Sequence, residues 1–271
     1  MKARLVALLA VLAMAAAACS GDASPAVSNA TASPAAANMT IYGAASLKAA
    51  LAKVKTAYEA ANPGTTLTIS TDSSSALETK IEQGAPADVF LSADITNPQK
   101  LVDKSLASGS VVPFAGNLLT IIVPTANPAN VQGLADLAQS GVKVIAAGDT
   151  VPITKYATML VAHLAKEAGY PADFASRYAA NVRSKEDNVA AVVAKIELGE
   201  GDAAIVYVTD AKSSTKVTTL TVPPAANVPA TYGGVVVKAS TNPTAAAVFL
   251  AWLAGPDGQS ILGSLGFLAP S

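Results

Sequence analysis

Residues 39–94 read "MTIYGAASLKAALAKVKTAYEAANPGTTLTISTDSSSALETKIEQGAPADVFLSAD". Three apolar runs, "MTIYGAAS", "TLTIS" and "ADVFLSA", alternate with "LKAALAKVKTAYEAA" and "ALETKIEQG", whose patterns are helical. Strands apolar on both faces and separated by helix-length segments predict a parallel sheet covered by helices, an α/β architecture. Further runs follow at "LLTIIVP", "KVIAAG", "DAAIVYV" and "GGVVVKAS". Between them lie the helical patterns "VQGLADLAQS", "TKYATMLVAHLAKEAG", "PADFASRYAANV" and "NVAAVVAKIELGEG", and "PTAAAVFLAWLAG" and "PDGQSILGSLG" close the chain. The segment "GNLLTIIVPTANP" reads as a long strand leaving one unit for the Pro- and Asn-rich start of another. The expected fold therefore has two lobes with a ligand between them.

The segment before this block has a different composition. "MKARLVALLAVLAMAAAACSGDAS" has a basic start (Lys2, Arg4), an apolar stretch too short to span a bilayer, and small residues leading to Cys19, the single cysteine. Residues 1–18 are thus expected to be a signal peptide. Residues 20–38 lack the large apolar side chains that would offset the entropy of ordering, so 19–38 is expected to be a flexible tether.

The 271 residues carry a net charge of -1 with 14% charged side chains and no basic run, which excludes a nucleic-acid surface. Catalytic constellations are equally scarce. The single histidine, His163, falls inside a helical pattern, no Cys/His cluster has metal-ligand spacing, and neither a G-x-S-x-G elbow nor a phosphate-cradling glycine motif occurs. No enzyme, cofactor or free metal ion is expected.

The serines of "TDSSSALETK" (71–80) carry more information. Ser75 with Glu78 fits the capping box S-x-x-E, which accounts for one serine but not for three. Ser46 opens a helix after another strand, with Ala44 and Ala45 before it. Two strand-to-helix turns offering hydroxyls and free N–H groups can cap helices or cradle an anion. Val151-Pro152 places proline at a first helical position, and Asp187-Asn188 before "VAAVVAKI" is an N-cap signal, so each exposes free amides. Tyr207 lies in an otherwise apolar strand, where its hydroxyl needs a backbone carbonyl or a ligand as partner.

The run "YGAASLKAAL", "SSSALETKIEQGAPADVFLSAD", "GDTVPITKYA" and "EDNVAAVVAKIELGEGDAAIVYVTDA" resembles the molybdate-binding proteins of ABC-type importers, over residues 39–271. The resemblance implies a periplasmic-binding-protein-like fold in which each lobe is a mainly parallel sheet flanked by helices. Lobe 1 would comprise 39–117 and 211–271 and lobe 2 would comprise 118–210. It implies an oxyanion, molybdate or tungstate, held in the cleft by the hydroxyls of Ser46, Ser74 and Tyr207 and the amides of Ile153 and Val189. Molybdenum would be bound only as molybdate, and Asp72, beside the serine turn, would point to solvent or bond a neighbouring amide. Small residues before Cys19 resemble a lipoprotein lipobox, with Ala16 where Leu is usual, so Cys19 would be lipidated and anchor a monomer outside the membrane. An ordinary cleaved signal peptide with a free thiol is the alternative. The implied partners are an importer permease and its ATPase, and the rival functions are a sulfate-type receptor and a secreted hydrolase.

Overall fold

The computed structural model describes residues 36–270; the expected signal peptide, Cys19 and most of the tether lie outside the described residues. β1 (Asn38–Ala44), α1 (Lys48–Ala61), β2 (Thr66–Asp72), α2 (Ser74–Glu82) and β3 (Val89–Ser92) follow one another as the periodicity predicts. β1 pairs in parallel with both β2 and β3. Helix α1 buries Ala50, Leu51, Val54 and Tyr58, one stripe at helical spacing. It lies close to β1 because position 43 is glycine: a Cβ there would fall 2.3 Å from Leu51 Cδ1.

Beyond β3 the sheet stops being parallel. After α3 (Thr96–Asp103), β4 (Ala107–Asn117) and the late strand β10 (Ala230–Val237) complete a five-stranded sheet in the order β2-β1-β3-β10-β4. β10 runs antiparallel to both β3 and β4. This corrects the expectation of mainly parallel sheets. A parallel neighbour requires a crossover within the same sheet, whereas β10 enters from the other lobe at the opposite end. β4 escaped the sequence reading because it is a half-exposed edge strand built around "SGSVVPF". Its Pro113 lies at a register shift, a position an edge strand tolerates.

One residue after β4, β5 (Leu119–Pro124) begins the second lobe. It pairs antiparallel with β8 (Ala204–Tyr207) and β9 (Val217–Leu220). β6 (Val144–Ala147) and β7 (Val182–Glu186) pair in parallel, and a parallel bridge between Val144 and Ala203 ties them to β8. The "VQGLADLAQS" helix shrinks to a 3-10 turn over Leu134–Ala138. α4 (Pro152–Leu164), α5 (Phe174–Asn181), α6 (Val189–Glu197) and α7 (Val208–Lys212) form as helices. Because β9 belongs with β5, the chain returns to the five-stranded sheet between Leu220 and Ala230. α8 (Pro243–Ala254) and α9 (Pro256–Ser264) then pack back on the first lobe, where Phe249 and Trp252 meet the Tyr58 ring edge-on at 4.9 and 5.0 Å.

Candidate functional site

Five strand ends and helix starts, contributed by both lobes, converge on one small space. The β1 end leads into a 3-10 turn carrying Ser46, and the β2 end leads into α2 at Ser74. From the second lobe come the N-terminus of α4 with Ile153, the N-terminus of α6 with Val189, and the β8 end with Tyr207. Ser46, Ser74, Ile153, Val189 and Tyr207, the five residues singled out from sequence, all line this cavity, together with Ser73 and Pro152. Its volume is ≈ 10 Å³, room for about one water molecule, so a larger guest enters only if the surrounding residues move apart.

Local sequence sets the donors. Asn188 caps α6 by accepting the Ala191 N–H at 3.1 Å, which leaves the Val189 amide in the first turn without an intrahelical acceptor. Proline at the start of α4 lacks an N–H of its own, and the Ile153 amide follows it at the helix entrance. Ser74 is 1% exposed, and its Oγ accepts the Ala93 N–H at 3.0 Å, so its own proton remains to be donated. Tyr207 is 1% exposed and its hydroxyl has no hydrogen-bond partner among the described residues. Burial pushes its phenol well above the ordinary range, as do the neighbouring Tyr232, Tyr156, Asp210 and Asp94. It therefore stays protonated and available as a donor.

The helix cap at the serine triplet differs from the expected one. Ser73, not Ser75, is the N-cap of α2: its φ is -60° and ψ 144°, and its Oγ accepts the Ala76 N–H at 3.3 Å. β2 runs to Asp72 and makes Ser73 the first residue free to take the extended cap geometry, one choice among three adjacent serines that spacing cannot make. Ser75 Oγ instead lies 3.4 Å from Thr150 Oγ1, and Glu78 turns inward to face Lys100 at 3.5 Å.

Asp72 is held away from the cavity. Its Oδ1 accepts the Ser73 N–H at 2.8 Å, its Oδ2 pairs with Lys80 at 2.9 Å, and Asn188 Nδ2 lies 3.4 Å from Oδ1. Burial raises the Asp72 carboxyl, but Lys80, the Ser73 amide and Asn188 outweigh it and hold the group below its ordinary value.

Several polar residues behind the cavity gave no sequence signal. Tyr232 on β10 contacts Ser46 Oγ at 2.9 Å, and Asn117 Nδ2 donates to Tyr232 at 3.3 Å and to Thr209 at 2.8 Å. Asp210, in α7, receives the Tyr207 backbone N–H at 3.3 Å, and burial pushes its carboxyl up to about 7. These partners lie 92 to 186 residues from the groups they meet in the case of Asn117 and Tyr232, so no local motif marks them. His163 Nδ1 meets the Ala226 carbonyl at 3.1 Å, a structural contact. Among the described residues no group of three His, Cys, Asp or Glu could hold a metal ion. A larger cavity of ≈ 450 Å³ between α1 and α6 shares Ser46 and carries charges of both signs, Lys48 and Lys212 beside Glu197 and Asp210.

Comparison with known proteins agrees with this geometry. Residues 39–268 match the family model described as bacterial extracellular solute-binding protein. The molybdate-binding protein ModA of Mycobacterium tuberculosis is 33% identical over 264 residues, which cover 97% of each chain. Among solved structures, the periplasmic molybdate-binding protein of Azotobacter vinelandii aligns with a TM-score of 0.73 at 23% identity, over 86% of this chain and 100% of its own. The sulfate-binding protein SubI of M. tuberculosis aligns at 0.74 and 21% identity, over 85% of this chain and 86% of its own. With a match across most of its length, two lobes, and helix ends gathered between them, the chain belongs to the bacterial extracellular solute-binding proteins, a family of binding proteins rather than enzymes.

Proposed function

We propose that the protein binds a fully deprotonated tetrahedral oxyanion outside the cytoplasm, molybdate and with it tungstate, and delivers it to the permease and ATPase of an ABC importer. The observation that carries this reading is the buried Tyr207 hydroxyl, unpartnered among the described residues and lining a cavity with three serines and two helix N-termini. A buried unsatisfied donor is costly, on the order of 1–3 kcal/mol, unless a ligand completes it. Three hydroxyls and two amides at about 1.5–3 kcal/mol per bond to a charged acceptor give a gross gain on the order of 10 kcal/mol. The helix N-termini of α4 and α6 add a favourable dipole for a dianion.

Support for molybdate in particular is the 33% identity to ModA over nearly the whole chain. Sulfate, which differs from molybdate chiefly in size, is the second reading, because a donor-only cavity admits it too; the likeness to SubI bears on the fold alone. We place the lobes at 39–117 with about 230–271 and at 118–220, the second boundary moved from 211 by the pairing of β9 with β5. A ligand touching both lobes stabilises the closed arrangement by its differential affinity. Monomeric action and lipid anchoring through Cys19 complete the proposal; Cys19→Ser should release the protein from the membrane or leave it unprocessed, and an unchanged, mature, membrane-bound product would refute the anchor. Calorimetric titration with molybdate, tungstate, sulfate and phosphate tests the ligand assignment.

A further inference from the structure

Asp210 stands in the first turn of α7, three residues after Tyr207, where the second lobe leads back toward the first. It is 7% exposed, and its carboxyl makes one hydrogen bond among the described residues, accepting the Tyr207 backbone N–H at 3.3 Å. That bond anchors the end of β8, from which the Tyr207 side chain lines the anion cavity. Asp210 also lines the larger cavity between α1 and α6, which shares Ala45 and Ser46 with the anion cavity. It is therefore a close neighbour of two of the proposed donors, Ser46 and Tyr207. Titratable groups face it from several elements: Lys48 from α1, Glu197 from α6 and Lys212 from its own helix line the same cavity, and its charge acts on the phenols of Tyr207 and Tyr232. None of the lysines pairs with it. Burial raises its carboxyl, opposed by the Tyr207 amide alone.

A dianion held by Ser46 and Tyr207 and a negative charge on Asp210 repel each other through protein, where screening is weak. A proton on Asp210 removes that repulsion, and the neutral acid still accepts the Tyr207 N–H through its carbonyl oxygen. We propose that Asp210 is a proton-linked positioning residue: it anchors the Tyr207 end of β8 in either state, but the anion is held tightly only when Asp210 is neutral, so binding above neutral pH takes up a proton. The inference rests on the oxyanion reading above. The ligand-free carboxyl is raised to about 7, and a bound dianion raises it further. Well below that value Asp210 is protonated with or without ligand, and affinity does not change with pH. Above it the ligand-free group is ionised, and affinity falls by up to about tenfold per pH unit until the group in the complex ionises as well. By reciprocity the anion strengthens proton binding by the same factor.

The test is calorimetric titration of the full-length chain with sodium molybdate at pH 6, 7, 8 and 9, each in two buffers of different ionisation heat, which counts the protons taken up per anion. Molybdate itself carries no proton over this range. Wild type is expected to lose about tenfold in affinity between pH 6 and 8, taking up most of one proton at pH 8 and almost none at pH 6. Asp210→Asn keeps the side-chain shape and an acceptor for the Tyr207 N–H but does not ionise, so its affinity should vary less than about twofold over the range, with no proton uptake. Should that variant not fold, carbon-13 NMR titration of the wild-type Asp210 carboxyl with and without molybdate decides instead: the midpoint must rise when the anion is bound. A flat wild-type profile without proton uptake overturns the inference while leaving the oxyanion reading intact. A slope that persists in Asp210→Asn, or an Asp210 midpoint that molybdate leaves unmoved, overturns it as well. If wild type binds molybdate at no pH, the oxyanion reading itself falls.

Discussion

Asp72 Oδ1 lies 3.4 Å from Asn188 Nδ2, joining the end of β2 in one lobe to the N-cap of α6 in the other. Asn188 uses its other side-chain atom, Oδ1, to accept the Ala191 N–H. The same residue thus organises the helix end that presents Val189 and touches the opposite lobe. Other polar contacts between the lobes, Ser75 with Thr150 and Lys155 with Thr96, are also 3.4 Å long and exposed. Contacts so long are weak, unlike the buried bond from Asn117 Nδ2 to Thr209 Oγ1, at 2.8 Å, where the chain passes between the lobes.

The caps give the first prediction. Asn188→Ala and Ser73→Ala should each cost about 1 kcal/mol of ligand-free stability through a lost N-cap. Ser75→Ala should change it by less than about 0.5 kcal/mol, since Ser75 caps nothing. Urea melts without ligand check this; a larger loss at Ser75 than at Ser73 would restore the capping box read from sequence.

The unpartnered phenol gives the second. Tyr207→Phe should weaken molybdate binding by about 1.5–3 kcal/mol, one lost hydrogen bond to a charge, while leaving ligand-free stability unchanged or slightly higher, because a buried unsatisfied hydroxyl is removed. Ser74→Ala should weaken binding to a similar extent. Calorimetry beside thermal melts separates the two effects, and wild-type affinity in both variants would mean that neither hydroxyl touches the anion.

Of the residues that line the cavity and those behind it, the sequence singled out the former. Ser46, Ser74, Ile153, Val189 and Tyr207 stand at strand ends and helix starts, where free donors are a local consequence of chain geometry, so pattern and resemblance reached them. Tyr232 and Asn117 are set by pairing across the five-stranded sheet and by the passage between lobes, and nothing near them in sequence announces that. The parallel strands β2-β1-β3 were legible because helical crossovers separate them. β4, β7 and β9 were not, for they are edge strands with polar or charged residues, as in "VRSKE" and "VTTL", and their identity comes from a distant partner.

Asp210 makes the pH dependence of stability specific. Its folded carboxyl is raised by burial from 3.8 to about 7, so the folded state retains a proton that the unfolded chain releases. The contribution is fully present below about pH 4 and is lost as pH rises to about 7; a gap of about three pH units at about 1.4 kcal/mol each is on the order of 4 kcal/mol. Asp210→Asn should keep the bond from the Tyr207 N–H and remove this slope. Ligand-free melts from pH 4 to 8 are the check: equal slopes in wild type and Asp210→Asn would show that the carboxyl ionises normally in the fold.

The most direct measurement of the central claim is calorimetric titration of the full-length chain at pH 7.5 with molybdate, tungstate, sulfate and phosphate in turn. The account predicts one site per chain, with molybdate and tungstate bound between micromolar and nanomolar, sulfate weaker, and hydrogen phosphate without measurable heat, since its proton meets only donors. Binding of phosphate as tight as that of molybdate, or no heat with any of the four, would contradict it.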